Sequence, residues 1–424
     1  MIRKFVLSTR NRERSAYVWN TAAAMLSSFQ TVFILMVISR IDPVNDAGIF
    51  TIAFAVANLM MSIGKYGMRQ FQVSDMARKY SFKTYVRSRV LSNSIMVCSC
   101  IVYLGYHILL NQYTLEKTLV IIFVCLVKLV DSVEDIYHGE FQKKGRLDVA
   151  GKILTTRLVM YIIVYILAYV RTNNLVISSI WSFLISAGIS LIFNKIACKE
   201  LLDDKRKVNN KEVLKLLKEC LPLVISSFLV MYVGNAPKYA LDTVLSSEEQ
   251  ACFGYVFMPV FVIGLLSQFI YQPIIYKLAL LRNTGEISKL KSQVLKQMYI
   301  ILGLTLITMI GGKILGIPIL SIIYGVDLSG YENILMVLLF GGGILACVNF
   351  FQVIITIFRK QKVLMNGYLI GFLILWLSGR AVVRKGGMMG ITIFYVCIVS
   401  MIMIIFGVQL VKCFKRETVD LQKN

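Results

Sequence analysis

The sequence predicts an all-α polytopic membrane protein of about twelve transmembrane helices in two sets of six, and three observations lead there. Of its 424 residues 57% are hydrophobic and only 16% charged, against roughly 45–50% and about 25% in an ordinary soluble chain. The apolar residues come in runs near the ~20 residues that cross a bilayer as a helix. When those runs alternate across a membrane, 36 of the 46 Lys and Arg fall on one side and 8 on the other. A bias of this kind orients a membrane protein with its basic side in the cytoplasm. It accounts for most of the net charge of +23, which on a hydrophilic surface would suggest nucleic acid. No nucleic-acid partner is expected.

Met1–Arg14 carries Arg3, Lys4, Arg10, Arg12 and Arg14 and leads into the first apolar run, Ala16–Ser39. That run is too long for a cleaved secretory signal and reads as a retained span. Five more lie at Ala47–Ile63, Ser88–Leu110, Leu115–Tyr137, Ile153–Val170 and Leu175–Ala197. The longest polar stretch, Cys198–Glu219, then separates the halves, giving lobes over 1–205 and 206–424. The second set is Leu221–Leu241, Cys252–Ile275, Leu295–Leu315, Ile334–Phe358, Val363–Leu377 and Met388–Val411, with a short cytoplasmic tail. Both termini are expected on the cytoplasmic side. The cluster Arg380–Lys385 fits its external placement badly, so the last two spans are the hardest to place. Five of the six prolines lie in the second half, where a missing backbone donor bends a helix or serves packing equally well.

The nine cysteines include no Cys-x-x-Cys pair and sit mostly in apolar runs, as small packing residues do. His107 and His138 are the only histidines. A disulfide framework and a multi-histidine metal centre are thereby excluded, and neither a resident metal nor a cofactor is expected.

Chemistry concentrates in the fourth span. Lys128, Asp131, Glu134, Asp135 and His138 fall on one helical face roughly 120° wide. Charges in lipid are costly, so this face either lines an interior or cavity, or enters cytoplasmic water while Lys128 snorkels. Arg157 in the fifth span can bind a diphosphate in bidentate fashion, pair with those carboxylates, or snorkel. Lys238 and Asp242, four residues apart at the external end of the seventh span, are spaced for a local ion pair, at a gate or a solvated helix end. Arg69 and Asp75 come after the second span, where a basic entrance would attract an anionic head group. Asp42 and Asp46 form a carboxylate pair on a turn too short to build an active site.

Three segments carry a family resemblance. Gly64–Asp75 (GKYGMRQFQVSD), Tyr137–Asp148 (YHGEFQKKGRLD) and the stretch from Pro237–Asp242 (PKYALD) through Phe253-Gly254-Tyr255 to Met258-Pro259 resemble bacterial polysaccharide flippases of the O-antigen and teichoic-acid (Wzx-like) type. These belong to a divergent superfamily that also holds drug exporters and the lipid II flippase. The resemblance implies two six-helix lobes around a central cavity that opens alternately to the two sides of a bacterial cytoplasmic membrane. It implies an undecaprenyl-diphosphate-linked oligosaccharide as substrate, and a glycan polymerase or export machinery as further partner. Arg157, Lys128, Arg69 and Lys238 would be the cations that receive the diphosphate. Asp131, Glu134, Asp135, Asp75 and Asp242 would pair with them or carry a coupling ion, H+ or Na+. Only Arg69, Asp75, Lys238 and Asp242 lie within the resembling segments.

Two rivals bound this reading. A cation-coupled multidrug exporter of the same fold would need buried carboxylates without matching cations, whereas this chain has both. A membrane polymerase or glycosyltransferase would need a substantial external loop, and the longest here is about 20 residues. A non-enzymatic flippase is the expectation.

Overall fold

The computed structural model describes residues 2–424 except Arg10, Pro43, Val44, Met76–Arg78, Leu202–Lys207, Gln272, Pro273 and Asn424. Among the described residues there is no strand. The chain forms two compact units, Met1–Met231 and Tyr232–Asn424. The expected lobe boundary at 205/206 falls outside the described residues.

The first unit begins with a short helix α1 (Ile2–Leu7), followed by α2 (Arg12–Ile41), α3 (Asp46–Lys65), α4 (Met68–Ser74) and α5 (Phe82–Leu109). It continues with α6 (Leu115–Lys143), α7 (Leu147–Thr172), α8 (Leu175–Leu201) and the first part of α9 (Asn210–Leu241). Polar side chains start several of these helices. Asn11, Ser81 and Thr114 each accept a bond from the backbone N–H three residues on, which satisfies donors that a helix start leaves open. Where α3 meets α4, Tyr66 and Gly67 are both left-handed, with φ of 53° and 63°. That pair of residues ends one helix and re-aims the next. A Cβ on Gly67 would stand 2.6 Å from the Leu223 Cβ of α9, so the turn also requires a residue without one.

α9 belongs to the first unit for most of its length because Leu216, Cys220 and Val224 pack with Tyr66, Met68, Tyr85 and Ile136 in one apolar cluster. At the other end of the sequence, Val6 of α1 joins Phe141, Val149, Ile153 and Ala197.

The second unit contains the rest of α9, then α10 (Ser247–Tyr271), α11 (Ile275–Asn283), α12 (Ile287–Gly311), α13 (Ile317–Tyr324), α14 (Glu332–Ile357) and α15 (Gln361–Lys423). Three consecutive glycines let α14 sit deep in it. Added Cβ atoms would meet Val396 at 2.7 Å from Gly341, the Val260 backbone at 3.3 Å from Gly342 and Thr305 at 2.2 Å from Gly343.

Among the described residues ten helical segments are long and apolar enough to cross a membrane. Two features reconcile ten with the twelve expected. α6 is long enough to span but carries too many charges to qualify by composition. α15 is two helices joined at Gly387, whose φ of 57° and ψ of −151° break the helical path.

Candidate functional site

α6 positions the charges. Its helical period turns Lys128, Asp131, Glu134, Asp135 and His138 toward the interior of the first unit, where α3, α5, α7 and α8 pack on it. Lys128, Glu134 and His138 are buried, and Asp131 and Asp135 nearly so. Arg157 of α7 has no exposed surface. Its Nε donates to Glu134 Oε2 at 2.8 Å and its Nη2 to Asp131 Oδ1. Lys128 Nζ donates to the other Asp131 oxygen at 3.2 Å and stands 4.5 Å from the centre of the Phe54 ring. Two cations and two carboxylates thus form a neutral quartet. Removing these charges from water is tolerable only because each meets its opposite in hydrogen-bond geometry.

A second network adjoins the first through Asp135. Arg89 of α5, 2% exposed, donates through Nη2 to Asp135 Oδ2 at 2.9 Å. Its Nη1 donates to the Gly64 carbonyl at 2.6 Å, and Ser92 donates to the same oxygen at 2.7 Å. These bonds satisfy a carbonyl that the end of α3 leaves open. Arg69 of α4 reaches Asp135 Oδ1 at 3.6 Å and donates to Gln142 at 3.1 Å. Gln72 donates to Glu140 at 3.0 Å. The break between α3 and α4 is therefore fastened to the end of α6 by ionic and amide contacts.

These contacts decide among the alternatives open at the sequence level. Lys128 and Arg157 do not snorkel; both are buried and paired. Arg157 is held by Asp131 and Glu134 through Nη2 and Nε, and its Nη1 makes no hydrogen bond.

Asp75 has a different task. Its carboxylate accepts the backbone N–H of Lys79 at 2.8 Å and of Tyr80 at 3.2 Å, and the Tyr85 hydroxyl at 3.0 Å. Burial pushes its pKa up, but these bonds, with Lys143 nearby, outweigh that and hold the carboxyl below the usual range. The geometry is that of a loop tie.

In the second unit, Lys238 of α9 is buried with its ammonium 5.1 Å from the Phe257 ring centre and 5.6 Å from that of Phe261. The expected pair with Asp242 gives way to this aromatic contact. Among the described residues no carboxylate lies within ion-pair distance of Lys238. Asp242 is buried too, and its carbonyl accepts Gln250 Nε2 at 3.0 Å. Aromatic faces attract a cation but carry no countercharge, so Lys238 is buried against two rings without an ionic partner among the described residues.

Sequence reasoning passed over Arg89, because it sits at the start of a span among other basic residues. It also passed over three tyrosines of α7, Tyr161, Tyr165 and Tyr169, all buried. Their spacing of four from Arg157 was a readable signal. No group of three or more His, Cys, Asp or Glu able to hold a metal occurs among the described residues.

No protein-family profile matches the chain. It is 24% identical over 331 residues to the capsular polysaccharide biosynthesis protein CapF of Staphylococcus aureus, covering 75% of this chain and 79% of that one. Among solved structures it resembles the lipid II flippase MurJ in an inward closed conformation, with a TM-score of 0.74, 12% identity and coverage of 95% and 90%. It also resembles an inward-facing multidrug resistance MATE transporter of the MOP superfamily, with a TM-score of 0.60, 14% identity and coverage of 100% and 99%. A MOP superfamily transporter from Pyrococcus furiosus aligns with a TM-score of 0.63 at 12% identity, over 98% of each chain. The shared feature at such identities is the fold, the two-lobed helical architecture of these membrane transporters.

Proposed function

We propose that this chain is a flippase that moves undecaprenyl-diphosphate-linked oligosaccharide across the bacterial cytoplasmic membrane by alternating access, for cell-surface polysaccharide synthesis. Lys238 carries the reading: it is a buried cation facing aromatic rings, with no carboxylate within ion-pair distance among the described residues. A diphosphate entering hydrocarbon unaided would lose its hydration at a cost of many kcal/mol. A fixed ammonium in a dry site replaces part of that hydration while the polyprenyl tail stays in lipid. The fold of a lipid II flippase and the likeness to a capsular polysaccharide biosynthesis protein support the same substrate class.

On this reading the termini face the cytoplasm, in line with the charge bias, and Arg69 at the α3–α4 break offers a half-buried cation on the cytoplasmic side. The buried quartet around Asp131 and the Arg89–Asp135 pair hold the first unit together and stay out of direct substrate contact in this conformation. A multidrug exporter of the same fold is the competing function. Transport of a defined polyprenyl-diphosphate oligosaccharide and of an organic cation by the same proteoliposomes separates the two. The flippase reading expects transport of the first, lost in Lys238→Met, and contradiction would be transport of the cation alone.

A further inference from the structure

In the first unit, α5 and the start of α9 leave an apolar groove of about 580 Å³ between them, within the ~300–1,000 Å³ of small-molecule sites. Leu91, Ile95 and Val102 of α5 and Leu217 of α9 line it, and the small side chains of Ser94 and Cys98 give it depth. The apolar α5 residues stay open, Leu91 by 42%, Ile95 by 46% and Val102 by 71%. Ser94 places its hydroxyl on the Val90 carbonyl at 3.1 Å, which satisfies it locally. From Leu91 to Val102 the helix rises about 16 Å, close to half of the ~30 Å hydrocarbon core. A groove of that length suits a chain that runs from one membrane face to the bilayer midplane.

The mouth of the groove is basic. Of the cations that open α5, Arg89 turns inward to Asp135, whereas Lys83 and Arg87 are exposed. Lys83, Arg87 and Leu91 follow one another at intervals of four, and so share one helix face. α9 begins alongside, where Thr84 donates to Glu212 at 3.4 Å and Tyr85 packs with Leu216 and Cys220. It adds the exposed Lys211 and Lys218, the latter next to Leu217. Among the described residues none of Lys83, Arg87, Lys211 and Lys218 forms an ion pair. The carboxylates of this part of α9 are engaged, Glu212 by Thr84 and Glu219 by Lys79 at 2.7 Å. Lys and Arg clustered beside a membrane-spanning helix attract anionic lipid. Charge bias alone places basic residues on that side, but it does not place them at the mouth of an apolar groove.

We propose that the groove between α5 and α9 binds one anionic phospholipid, with its phosphate on Lys83, Arg87 and Lys218 and an acyl chain over Leu91, Ile95 and Val102. The phosphate oxygens accept from the guanidinium and ammonium donors, and the chain covers apolar surface that the two helices leave open. Because α9 continues from the first unit into the second, the bound lipid braces the base of the helix that both units share. Neither the groove nor its charges depend on what is transported.

Native mass spectrometry of the full chain, with phosphatidylglycerol or phosphatidylcholine added to the detergent, tests the site. The wild type should retain one phosphatidylglycerol about tenfold better than phosphatidylcholine, and Lys83→Gln, Arg87→Gln and Lys218→Gln should each lower that retention about fivefold. Ser94→Phe keeps the charges but fills the groove, and should abolish the preference. Lys291→Gln with Lys296→Gln, on the exposed start of α12, should leave it unchanged. Equal retention of the two lipids, a preference that survives Ser94→Phe, or one lost equally in the α12 variant would overturn the proposal. So would displacement of phosphatidylglycerol by equimolar undecaprenyl phosphate, which would assign the groove to a carrier lipid. Photocrosslinking of the unmodified protein in phosphatidylglycerol vesicles, with a diazirine on the acyl chain, avoids any folding defect of the variants. Adducts should concentrate in Leu91–Val102, and adducts spread evenly over the exposed faces of α8 and α12 contradict the site.

Discussion

Arg157 shows how a buried charge is made tolerable, and how costly it becomes once a partner is removed. It is enclosed with Asp131 and Glu134, and Lys128 shares Asp131. Arg157→Ala would leave two buried carboxylates facing a single lysine, and loss of one partner from such a pair costs about 3–5 kcal/mol. The expected outcome is reduced accumulation and a lowered unfolding midpoint of the purified protein, with complementation of a flippase-deficient strain lost as a consequence. Combining Arg157→Met with Glu134→Gln should restore most of the stability, because Asp131 still pairs with Lys128 and no lone charge remains. Asp75 makes a prediction about pH. Its folded pKa is lowered, so its stabilising contribution is complete above the ordinary carboxylate range and is lost as pH falls through the lowered value. Proteolysis of the loop after α4 should therefore rise at acid pH in the wild type, and Asp75→Asn should show the higher susceptibility already at neutral pH. The charged face of α6 was legible from helical period alone. Arg157 and Arg69 were among the cations expected to pair with it, but Arg89 was not, because no local spacing encodes a contact between helices. Lys238 misled by the same route: spacing of four offered Asp242, while packing offered Phe257 and Phe261.

At the scale of elements, the apolar runs located the spans because hydrocarbon requires every backbone donor to be satisfied within a helix. The ends obey local chemistry that is also readable, such as the Ser81 and Thr114 caps. Period and hydropathy bracketed the breaks after Ile63 and between Leu377 and Met388, but not the residue at which the backbone turns. Gly67 and Gly387 are such points, and in each the left-handed φ is the cause. Gly67→Ala combines a disfavoured conformation with a clash against Leu223, and strain of this kind costs about 1–3 kcal/mol. A fall in the unfolding midpoint is expected, with Gly105→Ala as the control, since a Cβ at Gly105 meets nothing within 4 Å. A midpoint unchanged by Gly67→Ala would show that the α3–α4 turn is not the constraint described.

For the whole molecule, the polar stretch Cys198–Glu219 set the expected lobe boundary at 205/206, outside the described residues. The division between units lies further on, between Met231 and Tyr232 within α9, because the first part of that helix packs on Tyr66, Met68 and Tyr85. Polarity marks where a chain leaves the membrane, whereas packing marks where a unit ends. Orientation rests on the charge bias and has its own test. Cysteine labelling of intact cells should leave a reporter at Lys211, in a cysteine-free background, unmodified by an impermeant reagent, and external labelling there would invert the assigned topology. The central claim is that a buried, uncompensated ammonium receives the diphosphate of a lipid-linked glycan. It is tested most directly by flipping of a fluorescent undecaprenyl-diphosphate oligosaccharide in proteoliposomes, comparing wild type with Lys238→Arg and Lys238→Met. Flipping by wild type, its partial retention in Lys238→Arg and its loss by about tenfold or more in a folded Lys238→Met are the expected results. Equal flipping by wild type and Lys238→Met, or none by any of the three, would contradict the claim.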